Sequence, residues 1–437
     1  MASQSTLQTE VQEEEEDEEE GNKYVLLERL FKFIQTEEEL NPVLSGYFCK
    51  LVSLLISRKQ KQLFPFIYGP ESTVIEDLLK HVYQKSISEI INKLLTNVDT
   101  DHEPEIANQI KAKQQVAVGI LIESLGPEKS EEHNLNACSI IQDMFEIKDF
   151  YNQICDKDNL TKIVGFALAG MNESTKYSKC SSLTVLNQIV QSNIEKQKKK
   201  DQKADEDKDQ GHDEDDDIVQ QNSDDEKEDE EASNPNSTAA QTTLLVELLK
   251  DKIGAIATIL QADHELQTIQ SSVNEAHNVP LGMQRLYTIE LVLKMIQLKS
   301  EVLYTTMGRS SIFGNIMALV QKYPWNNFMQ LKVITMCEEI LENCENEQFK
   351  KDFLEGSGIG KSIVEMGNEA SFKMNSERLI RNGYMGLVVK VSNMLVKRFK
   401  GTSTKAEDAT VVEYLDNVGE EWRAFVDDEL AASNAND

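Results

Sequence analysis

Between Asn41 and Leu95 the chain states one pattern three times: NPVLSGYFCKLVSLLISRKQKQLFPFIYGPESTVIEDLLKHVYQKSISEIINKLL. Phe48, Leu51, Val52, Leu55 and Ile56 fall at the i, i+3, i+4, i+7, i+8 spacing of one helix face. Ile75, Leu78, Leu79 and Val82 repeat it, and Ile87, Ile90, Ile91, Leu94 and Leu95 repeat it again. A helix with one apolar stripe must hide it against a neighbour, and three such helices on short polar or Pro/Gly links do so by stacking in order. The stretch therefore predicts the beginning of an α-solenoid whose outer end needs a cap. Leu27, Leu30, Phe31 and Ile34, on one face of a helix starting near Tyr24, are available for that role, with a partner protein as the alternative.

The helical period continues through Ile106–Leu125, Asn134–Met144, Leu160–Met171 and Tyr177–Ile194. It resumes at Leu244 with Leu245, Leu248, Leu249, Ile253, Ile256, Ile259 and Leu260, then runs through PLGMQRLYTIELVLKMIQL from Pro280. Ile312–Tyr323, a helix opened by Trp325-Asn326-Asn327-Phe328 and carrying Leu331, Ile334, Ile340 and Leu341, and Arg381–Phe399 follow. Leu415, Val418, Trp422, Phe425 and Val426 mark a last amphipathic helix. No segment alternates with a period of two, so essentially no sheet is expected. Helix pairs recurring at about 35–45 residues predict an all-α fold, an α-solenoid of HEAT- or armadillo-like repeats.

Charge divides the chain further. Of the net −31, residues 1–20 carry −9 and residues 201–231 carry −14, which leaves −8 for the remainder. Concentrated like charge keeps a segment expanded. The expected organisation is a disordered acidic tail over 1–21, helical repeats over 22–195, a disordered charged insertion over 196–241, helical repeats over 242–400, and a loop, last helix and tail over 401–437. A chain this acidic lacks the basic footprint that phosphates require, which argues against nucleic acid as a partner.

The six cysteines (49, 138, 155, 180, 337, 344) include no C-x-x-C pair and read as buried thiols of a reducing compartment. With no basic n-region or apolar h-region at the start, and no run of the roughly 20 apolar residues that span a bilayer, a soluble protein of the cytoplasm, or also the nucleus, is expected. The histidines (81, 102, 133, 212, 264, 277) are scattered, with His81 expected at a partly exposed helix edge, so neither a metal nor another cofactor is expected. GSGIGKS at 356–362 resembles a phosphate loop, but the first glycine of G-x-x-x-x-G-K-[ST] falls at Glu355, and a helix-to-helix joint is the reading adopted. Nothing points to an enzyme. Ser223, followed by Asp-Asp-Glu, suits an acidophilic kinase, and a plain solubilising spacer is the alternative.

Several stretches together resemble the SAPS-domain family, regulatory subunits of protein phosphatase 6-type, type 2A-like Ser/Thr phosphatases. They are LNPVLSGYFCKLVSLLISRKQKQL at 40–63, LLKHVYQKSISEIINKLL at 78–95, ESLGPEKSEEHNLNACSIIQDM at 123–144, PLGMQRLYTIELV at 280–292, YPWNNFMQLKV at 323–333, IRNGYMGLVVKVSNMLV at 380–396 and WRAFVDDELAASNAND at 422–437. An acidic tail stands where the family carries further N-terminal helices, and Leu387 stands where a histidine is expected. The resemblance implies a non-catalytic scaffold that binds a phosphatase catalytic subunit and directs its substrate choice or location, with an ankyrin-repeat co-subunit as a further partner. Tyr68, Tyr323, Trp325 and Asn326, on inter-helix turns, are the candidate partner contacts, with core packing as their other reading. An importin-like cargo adaptor, or a structural component that has lost phosphatase binding, are the alternative functions.

Overall fold

Asn41 and Pro42 start the longest helix of the first half. The Asn41 side chain accepts hydrogen bonds from the backbone N–H of Val43 (3.0 Å) and Leu44 (3.2 Å), while Pro42 has no donor to satisfy. In the computed structural model, which describes residues 24–96, 104–145, 147–170, 175–209, 238–261, 269–270, 277–278, 280–369, 371–373, 379–401 and 407–436, this helix is α2, Pro42–Tyr68. The acidic tail expected over 1–21 and the greater part of the charged insertion, Ser223 included, lie outside the described residues. Packing divides the chain into two units, residues 1–162 and 163–437.

In the first unit α1 (Val25–Phe31) and a 3-10 turn (Lys32–Ile34) lie against α2. Phe31 is 1% exposed, with its ring centroid 5.5 Å from those of both Phe48 and Phe66, and Ile34 is fully buried. The cap foreseen for this end is therefore present within the chain. His81 serves it: its Nε2 lies 3.0 Å from the Ile34 carbonyl and the residue is buried, so the expected exposed edge is corrected. After α3 (Val74–Lys80) and α4 (Lys85–Thr96) come α5 (Pro104–Glu123), α6 (Glu131–Met144) and α7 (Lys148–Ile154). They stack in two rows, α2–α4–α6 and α3–α5–α7, the HEAT arrangement. Every apolar residue read into the second and third stripes, from Ile75 to Leu95, is buried.

α8 (Lys157–Ala167) spans the division between the units. The second unit is built from α9 (Lys176–Asp209), α10 (Thr238–Lys250), α11 (Ile253–Gln261), α12 (Met283–Gln297), α13 (Glu301–Gly308), α14 (Ile312–Lys322) and α15 (Asn327–Glu342). It continues with α16 (Glu347–Ser357), α17 (Ile359–Asn368), α18 (Met385–Lys400), α19 (Ala409–Val418), α20 (Glu420–Phe425) and, past a π turn, α21 (Ala431–Asn436). Here there are three rows: α9–α12–α15–α18, α10–α13–α16–α19 and α11–α14–α17–α20. Three helices per repeat is the armadillo arrangement, so the two units realise the two expected repeat types separately.

Three local features differ from, or refine, the sequence reading. α9 runs on to Asp209, well past Lys196, because its low-complexity end, KQKKKDQKADEDKD, is composed largely of strong helix formers. Two antiparallel pairs of two and three residues, Ile269–Gln270 with His277–Asn278 and Ser371–Lys373 with Leu379–Arg381, sit in helix-to-helix links and are too short to show a period. GSGIGKS is a joint between helices: Gly358, at φ 57°, ends α16, and the Gly360 N–H donates to Tyr414 Oη (3.0 Å).

Candidate partner-docking surfaces

The four residues singled out by sequence fall in different settings. Tyr68 is fully buried, and its hydroxyl donates to the Leu94 carbonyl at 2.7 Å, tying α2 to α4. Burial raises its phenol above the usual range. It is a core residue of the first unit and offers nothing to a partner. Tyr323, Trp325 and Asn326 lie together on the turn between α14 and α15.

That turn is braced from several sides. Asn326 caps α15 by accepting from the Met329 N–H (2.9 Å), Gln330 Nε2 donates to the Pro324 carbonyl (2.7 Å), and the Asn326 N–H donates to the Tyr323 carbonyl (3.2 Å). Gly383, just ahead of α18, approaches so closely that a Cβ there would stand 2.4 Å from Pro324 O and 2.8 Å from the Trp325 ring. Tyr323 Oη accepts from Nη1 of Arg285 (3.1 Å). Arg285 is 2% exposed, makes no ion pair among the described residues, and leaves its Nε without a partner.

What the brace presents is apolar. Trp325, Phe328 and Leu331 recur every third residue and are 45%, 73% and 57% exposed. Leu331 was read as core; the core side of α15 is instead Met329, Val333, Ile334, Met336, Cys337, Ile340 and Leu341. Because α15 is apolar on two sides, spacing alone could not say which set faces out. A turn of fixed geometry holding an exposed Trp and Phe has the character of a protein-binding anchor, since rigid aromatics bury large area at small entropic cost. The charges beside it are closed: Glu290 pairs with Lys294 (3.0 Å) and with Lys332 on α15 (2.8 Å). Burial pushes the Glu290 carboxyl up, but hydrogen bonds from Lys332 and Lys294 outweigh it and hold it below its usual value.

The first unit has its own exposed stripe. Val43, Leu44, Tyr47, Leu51 and Leu54 on α2 are all at least 45% exposed, the opposite of what the stripe spacing implied for Leu51. Phe48, Val52 and Ile56 form the buried face instead. Lys50, Arg58, Lys59 and Lys61 are exposed on the same helix and join no ion pair among the described residues.

Elsewhere the signals are structural. Leu387, at the position where a histidine was expected, is 1% exposed in the core. Five cysteines are buried and Cys180 is half-buried, all as free thiols, with burial pushing Cys337 up to about 12. Among the described residues no group of three or more His, Cys, Asp or Glu is placed to hold a metal ion, and no helix is long and apolar enough to cross a membrane.

Comparison with known proteins agrees with the stretches quoted above. The family model described as SAPS, "SIT4 phosphatase-associated protein", matches residues 52–308 and 301–437. Serine/threonine-protein phosphatase 6 regulatory subunit 3 of Gallus gallus is 23% identical over 446 residues, 95% of this chain and 47% of that protein. Regulatory subunit 1 of Mus musculus is 22% identical over 432 residues, 94% of this chain and 48% of that protein. The chain thus spans about half the length of the curated relatives it matches.

Proposed function

The chain belongs to the SAPS family, and on that premise we propose that it is a non-catalytic regulatory subunit which binds a type 2A-like Ser/Thr phosphatase catalytic subunit. The observation that carries the reading is the family match along nearly the whole chain, with relatives that are phosphatase 6 regulatory subunits. The architecture supports it: stacked helical repeats offer extended surface for a partner, and the exposed features are apolar anchors, not a nucleophile beside a base. The metals and the chemistry belong to the partner, and this subunit directs its substrate choice or location, with an ankyrin-repeat protein as co-subunit. Six free thiols support a reducing compartment, the cytoplasm or nucleus.

Trp325, Phe328 and Leu331 are the anchor assigned to the catalytic subunit. The test is purification of the tagged full chain from native extract, followed by mass spectrometry and a phosphatase assay. A stoichiometric type 2A-like catalytic subunit is expected. Nuclear-import cargo, or cytoskeletal and organelle proteins with no phosphatase, overturn the reading.

A further inference from the structure

The exposed face of α2 changes character along its length. Val43, Tyr47, Leu51 and Leu54 make its first half apolar, Arg58 continues that face as a cation, and Lys59, at a kink (φ −135°, ψ 29°), and Lys61 just past it are exposed cations as well. A run of unpaired cations beside an uncovered apolar stripe is what an acidic amphipathic segment fits. The chain carries such a segment in sequence just ahead of α1.

We propose that α2 is the docking site of the chain's own N-terminal segment, residues 7–20. Two matched halves carry the assignment. The segment has Leu7 and Val11, four apart, and then the unbroken acidic run from Glu13 to Glu20. Entering from its C-terminal end, it presents acids first and apolar residues second; α2 read from its C-terminal end presents cations first and an apolar stripe second.

The connection has the right place and reach. The Tyr24 ring lies 5.4 Å from that of Phe66, on α2 five residues past Lys61. From Phe66 back to Arg58 is about 12 Å along a helix rising 1.5 Å per residue. The eleven residues from Tyr24 back to Glu13 span up to about 36 Å when extended. Gly21 and Asn22 are residue types that permit the chain to reverse there. An open groove of about 990 Å³ borders the point of departure, lined by Tyr24, Pro65 and Phe66 among others, and its charges balance, Arg29 and Lys32 against Glu28 and Glu71.

The eight-acid run repels itself, and Arg58, Lys59 and Lys61 on α2 are exposed cations with no ion pair among the described residues. Seating the run there relieves that repulsion, and Val11 and Leu7 then lie over Leu54, Leu51 and Tyr47. The segment is a built-in competitor for anything else that uses α2, weakened by salt because most of its hold is exposed charge. This inference does not rest on the phosphatase reading.

Zero-length carbodiimide cross-linking of the purified full chain tests it, with mass spectrometry as readout. Links from Lys59 and Lys61 to residues 13–20 are expected, in excess over links from Lys129 and Lys157, exposed lysines of the same unit, and they are lost at high salt. A mixture of ¹⁴N- and ¹⁵N-labelled chains separates the sources: links within one isotope support the proposal, and mixed links overturn it in favour of a second copy. Leu7→Asp/Val11→Asp leaves every lysine and the folded helices untouched and lowers the yield at Lys59 and Lys61. An unchanged yield, or no preference for these two lysines in the unaltered chain, overturns the two-part seating.

Discussion

α2 of the first unit and α15 of the second hold comparable positions. Each belongs to the row of its unit that runs α2–α4–α6 or α9–α12–α15–α18, each lies in a stretch that resembles the SAPS family, and each exposes a stripe of large apolar residues. Their surroundings differ. Around α15 the turn is locked by the Asn326 cap, Gln330, Gly383 and the Arg285–Tyr323 hydrogen bond, and the adjoining charges are paired. Around α2 the four cations, Lys50, Arg58, Lys59 and Lys61, are exposed and join no ion pair among the described residues. A braced, charge-closed stripe selects by shape and holds its partner tightly; a cationic one selects by charge and yields to salt.

The largest effect expected is on the proposed capture of a phosphatase catalytic subunit. Trp325→Ala/Phe328→Ala removes the two exposed rings from a preorganised turn and costs about 2–4 kcal/mol of binding, a loss of roughly 30-fold or more. Equilibrium binding at low and high salt measures it, and the loss is to be the same in both. A loss confined to low salt makes α15 a charge-steered surface like α2 and erases the contrast.

Next come the braces themselves. Tyr323→Phe takes from the buried Arg285 its one hydrogen-bond partner among the described residues, and leaving such a donor unsatisfied costs about 1–3 kcal/mol in denaturant unfolding. Arg285→Met with Tyr323→Phe recovers much of that, since replacing a whole buried polar pair by apolar groups is often close to neutral. Failure to recover assigns Arg285 a further role. Gly383→Ala puts a methyl against Pro324 and Trp325, costing about 1–3 kcal/mol by overpacking. It also shifts the tryptophan emission as Trp325 is displaced; an unshifted spectrum says the turn is not held there.

The contrast also marks what sequence could and could not reveal. The repeat architecture was legible because a buried stripe has a period, and Ile87, Ile90, Ile91, Leu94 and Leu95 are buried as their spacing requires. Leu51 and Leu331 were misplaced for one reason: both helices are apolar on two sides, and a period does not rank two apolar faces. His81 was placed too near the surface because the carbonyl it meets, Ile34, is 47 residues away, and the core reading of Tyr68 could not be chosen over the partner reading because its carbonyl, Leu94, is 26 residues away. The length of α9 was missed by reading charge where helix propensity decided. The two-row and three-row stacking left no mark in single-helix spacing.

Titration probes the closed charges near α15. Hydrogen bonds from Lys332 and Lys294 hold the Glu290 carboxyl below its unfolded value in spite of its burial. A lowered folded-state value stabilises above the unfolded carboxylate range, near about 4.3, and that stability is lost as pH falls through the folded value. The contribution is about 1 kcal/mol or less for a partly exposed network. Glu290→Gln removes this part of the acid sensitivity, seen as a smaller difference in unfolding midpoint between neutral and acid pH; an unchanged difference shows the network does not stabilise the fold.

The smallest effect is the sharpest test of α2. If Leu51 and Leu54 face solvent to receive a segment, they add little to the fold of their unit, and Leu51→Ser/Leu54→Ser changes its stability by no more than about 0.5 kcal/mol per residue. Ile56→Ala, on the buried face with Phe48 and Val52 and 7% exposed, is the core reference on the same helix and destabilises far more. Thermal melts of the two variants side by side decide it. Near-equal losses make the α2 stripe part of the packing, and only the braced surface of α15 then stands as a docking face. A near-silent Leu51→Ser/Leu54→Ser beside a costly Ile56→Ala leaves two surfaces, one selecting by shape and one by charge.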